Sequence, residues 1–158
     1  MNKIRCLIAD DEQLAISVIE SHLAKLPDLI VAGTCNNGIQ VYQFLKEHPV
    51  DLLFLDIQMP ELTGLELLGT LKDPPAVILT TAYREFALEG FEFNVIDYLL
   101  KPISFERFLK SISKFESIGS TKFINYTSVP KQLNSFDQHF IYVKSDKKMV
   151  RVMVRDIQ

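Results

Sequence analysis

Val50-Asp51-Leu52-Leu53-Phe54-Leu55-Asp56-Ile57-Gln58-Met59-Pro60 is the stretch on which the fold turns. Leu52 to Leu55 do not alternate with polar residues, as expected of a strand covered on both faces by helices. The run closes on a carboxylate, Asp56, and Pro60 follows. Outward from it, similar unalternated runs occur at Ile4 to Ala9, Leu29 to Gly33, Ala76 to Thr80 and Val95 to Leu100. With Asp51 to Leu55 these predict five parallel strands. Helical spacing fills the gaps, clearest at Ala15, Val18, Ile19, Leu23 and Leu26 and at Phe105, Phe108, Leu109 and Ile112. Weaker versions lie at Val41, Phe44 and Leu45, at Leu67, Leu68 and Leu71, and at Phe86, Ala87, Gly90 and Phe91. Pro49, Pro60, Pro74, Pro75 and Pro102 punctuate the element ends, where a missing N–H does least harm. The expected architecture is α/β: a (βα)5 doubly wound, parallel five-stranded sheet.

The chain has 158 residues, 47% hydrophobic and 23% charged, enough for one core plus an appendage. No apolar run approaches the roughly 20 residues of a membrane span, and no membrane partner is expected. The apolar stretch after Lys3 and Arg5 meets Asp10, Asp11 and Glu12 at once, unlike a secretory signal, so the cytoplasm is the expected location. Cys6 and Cys35 form no C-x-x-C pair and His22, His48 and His139 are scattered, which argues against zinc and against a disulfide framework. Both cysteines read as buried small hydrophobes in neighbouring strands. Residues 1–138 hold 12 of the 17 Lys+Arg and 18 of the 20 Asp+Glu, whereas residues 139–158 hold five against two. The acidic body is a poor match for a phosphate backbone. From about Glu116 to Gln138 both periodicities fade into Ser, Thr, Asn, Lys and Gln, which predicts a linker. Phe140 to Lys144 and Met149 to Arg155 then predict a hairpin turning at Ser145 to Lys148. The Asn125-Tyr126-Thr127 triplet fits a glycosylation acceptor by coincidence only.

The carboxylates carry the chemistry. Asp10 and Asp11 follow the first strand and Asp56 ends the third, so all three meet at the carboxyl edge of the sheet, where open α/β sheets bind ligands. Three acids there repel one another unless a cation sits among them. Oxygen donors without His or Cys favour Mg²⁺. Thr81 ends the fourth strand and Lys101 the fifth at the same edge. Taken singly, these are a solvated acidic loop, a strand-end threonine and a surface lysine. Taken together they supply what phosphoryl transfer to a carboxylate needs, positioning and charge neutralisation, with Asp56 as nucleophile.

Asp10-Asp11-Glu12, Leu55-Asp56-Ile57-Gln58-Met59-Pro60 with Gly64, Thr81-Ala82, and Asp97-Tyr98-Leu99-Leu100-Lys101-Pro102 resemble the receiver domain of bacterial two-component response regulators, over about residues 3–117. The resemblance implies a flavodoxin-like strand order 2-1-3-4-5. It implies that Asp56 accepts a phosphoryl group from a phosphohistidine on a sensor histidine kinase. Mg²⁺ would be bound by Asp11, Asp56 and the Gln58 carbonyl, with Asp10 acting through a water. Thr81 and Lys101 would bond the phosphoryl oxygens, Tyr98 would be the aromatic switch, and the Lys101-Pro102 peptide would be cis. Gln58 and Tyr83 occupy positions that tune phosphate lifetime. Phosphorylation would draw Thr81 inward, let Tyr98 turn from solvent toward the core near Phe86, Phe91 and Phe93, and promote homodimerisation. Phe86 to Pro102 with the hairpin resembles the LytTR class, whose receiver precedes a mostly β DNA-binding domain. The division is then 1–117 receiver, 118–138 linker and 139–158 the N-terminal fragment of a LytTR domain, with DNA binding only in the full-length protein. Such a chain is a switch and not an enzyme.

Two other classes compete. An aspartyl-phosphate phosphatase of the haloacid dehalogenase type also uses carboxylates, Mg²⁺, a Thr and a Lys, but needs D-x-D after the first strand. A flavodoxin-like flavin carrier shares the sheet, but Asp10 and Asp11 would repel its phosphate. Neither G-x-G-x-x-G nor a Walker pattern is present.

Overall fold

A computed structural model describes residues 2–86, 93–121, 140–145 and 148–153. It divides into two compact units, Met1–Gly119 and Ser120–Gln158. In the first, β1 (Ile4–Ala9), α1 (Gln13–Leu23), β2 (Leu29–Cys35), α2 (Gly38–Glu47), β3 (Leu52–Asp56), α3 (Gly64–Thr70), β4 (Ala76–Thr81), β5 (Asp97–Leu100) and α4 (Phe105–Thr121) follow in that order. The sheet runs β2-β1-β3-β4-β5, and every pairing is parallel.

Side chains alternate across this sheet and divide the core in two. Ile8, Phe54, Ile78 and Leu99 face Ile16, Ile19 and Leu23 of α1 and Phe108 and Ile112 of α4. Leu7, Leu53, Leu55, Val77 and Leu79 face Val41 of α2 and Leu67 and Leu68 of α3. The central strand β3 is buried from end to end, as its unalternated run requires. Cys6 and Cys35 are buried free thiols, pushed up to about 12 and about 11, chiefly by burial.

Several expectations need correction. β2 is an edge strand, and Ile30 and Val31 are 38% and 39% exposed, so covering on both faces holds for the centre of the sheet and not here. It also runs two residues past Gly33, to Cys35. β5 begins at Asp97 and not Val95, although the Ile96 N–H still donates to the Val77 carbonyl at 2.7 Å. Of the fourth helix, expected around Phe86 to Phe91, residues 87–92 lie outside the described residues; a 3-10 turn spans Arg84–Phe86. α4 runs on to Thr121, past Glu116 where the linker was expected to begin. Ser and Thr weaken a helix without breaking it, no proline intervenes, and half-buried Phe115 packs against the α1/α4 side of the core. Most of the expected linker lies outside the described residues.

In the second unit β6 (Phe140–Ser145) and β7 (Lys148–Met153) form an antiparallel pair in the register Phe140 with Met153 through Ser145 with Lys148. The expected second strand reached Arg155; residues 146–147 and 154–158 lie outside the described residues. Among the described residues no helix is long and apolar enough to cross a membrane.

Candidate functional site

The carboxyl ends of β1, β3, β4 and β5 come together, and each delivers one of the side chains singled out from the sequence. After β1 the chain turns at Asp10, whose N–H donates to the Cys35 carbonyl at 3.0 Å. The Asp10 side chain is fully buried, and its Oδ1 accepts the Glu12 N–H at 2.9 Å. Asp56 closes β3 and is 4% exposed. Behind it the Gly64 N–H donates to the Ile57 carbonyl at 2.8 Å, and a Cβ on Gly64 would lie 2.3 Å from the Asp56 carbonyl oxygen. Only glycine allows α3 to start that close to the strand end. Thr63 caps the helix reciprocally with Glu66, which fixes the loop between Asp56 and α3.

One carboxylate oxygen each from Asp10, Asp11 and Asp56 lies within 4.8 Å of the others. Lys101 enters from the end of β5, its N–H donating to the Thr81 carbonyl at 2.8 Å. Its Nζ lies 2.7 Å from Asp10 Oδ2 and 3.6 Å from Asp56 Oδ1. The first contact is a close ion pair, without the angles of a directed hydrogen bond. Burial, then the Asp10 charge, pushes the Asp56 carboxyl up to about 7 against the opposing pull of Lys101 and the Gln58 backbone N–H. Burial draws the Lys101 ammonium down, but the Asp10 contact and the charges of Asp56 and Asp10 outweigh it and hold it above its ordinary value. One ammonium thus leaves the three acids under-neutralised. Asp11, Asp56, Gln58, Thr63, Tyr83 and Lys101 line an open cleft of about 580 Å³ here.

Thr81 is 1% exposed, and its Oγ1 accepts the Tyr83 N–H at 3.1 Å. The Tyr98 hydroxyl donates to the Tyr83 carbonyl, so the Tyr83 backbone touches both residues expected to switch. Tyr98 is half-buried against the α2/α3 side of the core. The Lys101-Pro102 peptide is cis, as expected. Phe91 lies outside the described residues.

Sequence reasoning missed a charged cluster at the start of β5. The Asp97 carboxylate, 7% exposed, receives Arg107 Nη1 at 2.6 Å, Arg107 Nη2 at 2.8 Å, Lys114 Nζ at 3.0 Å and the Tyr98 N–H at 2.8 Å. It also missed His22, buried between the Phe105 and Phe108 rings with Nε2 2.8 Å from the Ile103 carbonyl. Its place on the apolar stripe of α1, beside Leu23, was the available signal.

Residues 6–113 match the family model of the response regulator receiver domain. The chain belongs to that family. This receiver is 35% identical over 136 residues to the transcriptional regulatory protein BtsR of Escherichia coli, covering 84% of this chain and 56% of BtsR. It is 32% identical over 146 residues to the sensory transduction protein LytT of Oceanobacillus iheyensis, covering 89% of this chain and 59% of LytT. The chain thus spans somewhat over half the length of these curated relatives. The response regulatory domain of mrkE from Klebsiella pneumoniae superposes with a TM-score of 0.68 at 29% identity, over 75% of this chain and 99% of that one. The strand order 2-1-3-4-5 is the one expected of a receiver. Receivers are signalling modules; response regulators accept phosphoryl groups from histidine kinases, and some bind DNA. The haloacid dehalogenase reading finds no support.

Proposed function

We propose that Asp56 accepts a phosphoryl group from a phosphohistidine of a sensor histidine kinase. The observation that carries this is a nearly buried Asp56 carboxylate with Lys101 Nζ at 3.6 Å and two further carboxylates converging within 4.8 Å. An Asp56 oxygen forms the P–O bond as the P–N bond breaks, and the departing imidazole keeps the electron pair and takes up a proton. Lys101 holds Asp10 while the site is at rest and is close enough to Asp56 to neutralise the entering phosphoryl oxygens. The Thr81 hydroxyl, which accepts the Tyr83 N–H and bonds the Tyr98 hydroxyl in the resting site, would turn its proton to another of those oxygens.

A converging, under-neutralised set of oxygen donors fits a hard divalent cation. Mg²⁺, held by Asp11, Asp56 and the Gln58 carbonyl with Asp10 behind them, would supply charge neutralisation during transfer. The module catalyses only its own phosphotransfer and dephosphorylation.

Phosphorylation then switches homodimerisation and, in the full-length protein, DNA binding and transcription. The matches to BtsR and LytT cover more of the chain than the receiver unit does, which supports reading β6 and β7 as the start of a LytTR DNA-binding domain after a linker. We place the protein in the cytoplasm, in keeping with its two free thiols. Intact-mass measurement after incubation with acetyl phosphate and Mg²⁺ tests the central claim. One phosphoryl adduct, absent in Asp56→Asn, is expected; no adduct, or one retained in the variant, overturns it.

A further inference from the structure

Among the described residues β5 is an edge of the sheet, and the outward backbone groups of its residues have no strand there to bond. At Tyr98 both are captured by side chains. The Tyr98 N–H donates to Asp97 Oδ1 at 2.8 Å, and the Tyr98 carbonyl accepts Arg107 Nη2 at 3.0 Å. Asp97 and Arg107 are themselves joined by two parallel bonds of 2.6 and 2.8 Å, the fork geometry that only a guanidinium offers to a carboxylate. Lys114, about two turns further along α4, adds a second cation at 3.0 Å. Burial alone would push the Asp97 carboxyl up, yet the bonds from Arg107, the Tyr98 N–H and Lys114 hold it below its ordinary value.

The Tyr98 main chain is thereby clamped to α4, while its side chain reaches the other way, to the Tyr83 carbonyl beside Thr81. A ring that swings needs a fixed pivot, and rotation about a held backbone transmits displacement where a yielding backbone would absorb it. We propose that Arg107 is a positioning residue for the Tyr98 switch: by bridging the Asp97 carboxylate and the Tyr98 carbonyl it makes Tyr98 respond to phosphorylation of Asp56. This rests on the proposed function, because it supposes that Asp56 is phosphorylated.

The test uses the whole chain labelled with 3-fluorotyrosine, the Tyr98 ¹⁹F resonance being assigned by its loss in Tyr98→Phe. Acetyl phosphate with Mg²⁺ is the phosphodonor, and intact mass counts adducts in the same samples. In the wild type, one Tyr98 resonance should move as the adduct forms. Arg107→Gln should acquire the adduct within about twofold of the wild-type rate. Its equilibrium constant for the moved Tyr98 position should nevertheless fall about 2- to 30-fold, the size of ordinary coupling effects. Arg107→Lys keeps the charge and the overall attraction to Asp97 but cannot bridge both partners, so it should resemble Arg107→Gln. A full Tyr98 response in either variant overturns the proposal. So does a loss of phosphorylation rate as large as the loss of response, or a failure of both variants to fold, since each would make Arg107 a general stability residue. A wild-type chain that forms no adduct overturns the functional reading instead, and that result is distinct from all of these.

Discussion

Asp56 sits under opposing forces, and its protonation should be visible in stability. Its carboxyl is raised to about 7, so between about pH 4 and pH 7 the folded chain keeps a proton that the unfolded chain has released. Stability therefore falls as pH rises through that window, by up to roughly 4 kcal/mol if the whole shift is expressed. In EDTA, the urea midpoint of the wild type should drop across pH 5–7.5 while that of Asp56→Asn stays nearly level; equal slopes would refute the assignment. Mg²⁺ at pH 7.5 should raise the wild-type midpoint. For the metal itself, Asp11→Asn should weaken Mg²⁺ binding by about tenfold more than Asp10→Asn in calorimetric titration. Asp11 is exposed at the cleft, whereas Asp10 is buried against Lys101. Asp10, Asp11, Asp56, Thr81 and Lys101 were legible in the sequence because each directly follows or ends an apolar run. Arg107 was not: ten residues from Asp97, it reads as one more cation on a helix surface, and only the fold shows that the outward N–H and carbonyl of Tyr98 face no strand among the described residues.

Among the elements, α3 and α4 show what local pattern can and cannot specify. The start of α3 is written in Thr63, Gly64 and Glu66, a cap, a close approach and its reciprocal partner. Gly64→Ala should cost roughly 1–3 kcal/mol, because the clash is with a backbone oxygen that cannot rotate away. It should also slow phosphorylation by acetyl phosphate beyond what the lost stability explains, since the displaced atom belongs to Asp56. Unchanged kinetics in a destabilised variant would separate the two effects. α4 presents Phe108, fully buried and stacked on Phe54 at 5.4 Å, so Phe108→Ala should cost about 3–5 kcal/mol in denaturant unfolding. The far end of this helix was illegible because Ser and Thr lower propensity without forbidding a helix that Phe115 anchors. The strand boundaries moved for a similar reason: Val95 and Ile96 are apolar, but pairing with β4 begins only where Asp97 meets Ile78.

For the molecule as a whole, the acidic site and both halves of the core belong to the first compact unit. A chain of residues 1–121 should therefore take up one phosphoryl group at Asp56 at the same rate as all 158 residues; a slower rate in the shorter chain would mean that the second unit contributes to the site. The sheet inside that unit also acts as a partition wall. Thr81 and Tyr98 lie on the side of α2 and α3, since Tyr98 pairs with Leu79 and packs there, while α1 and most of α4 furnish the other room. Substitutions can accumulate in one room without rewriting the contacts of the other, so the surface of α1 and the machinery around Tyr98 are free to diversify at separate rates. Arg107 is a doorway between them, reaching round the open edge of β5 from α4 to the Tyr98 carbonyl.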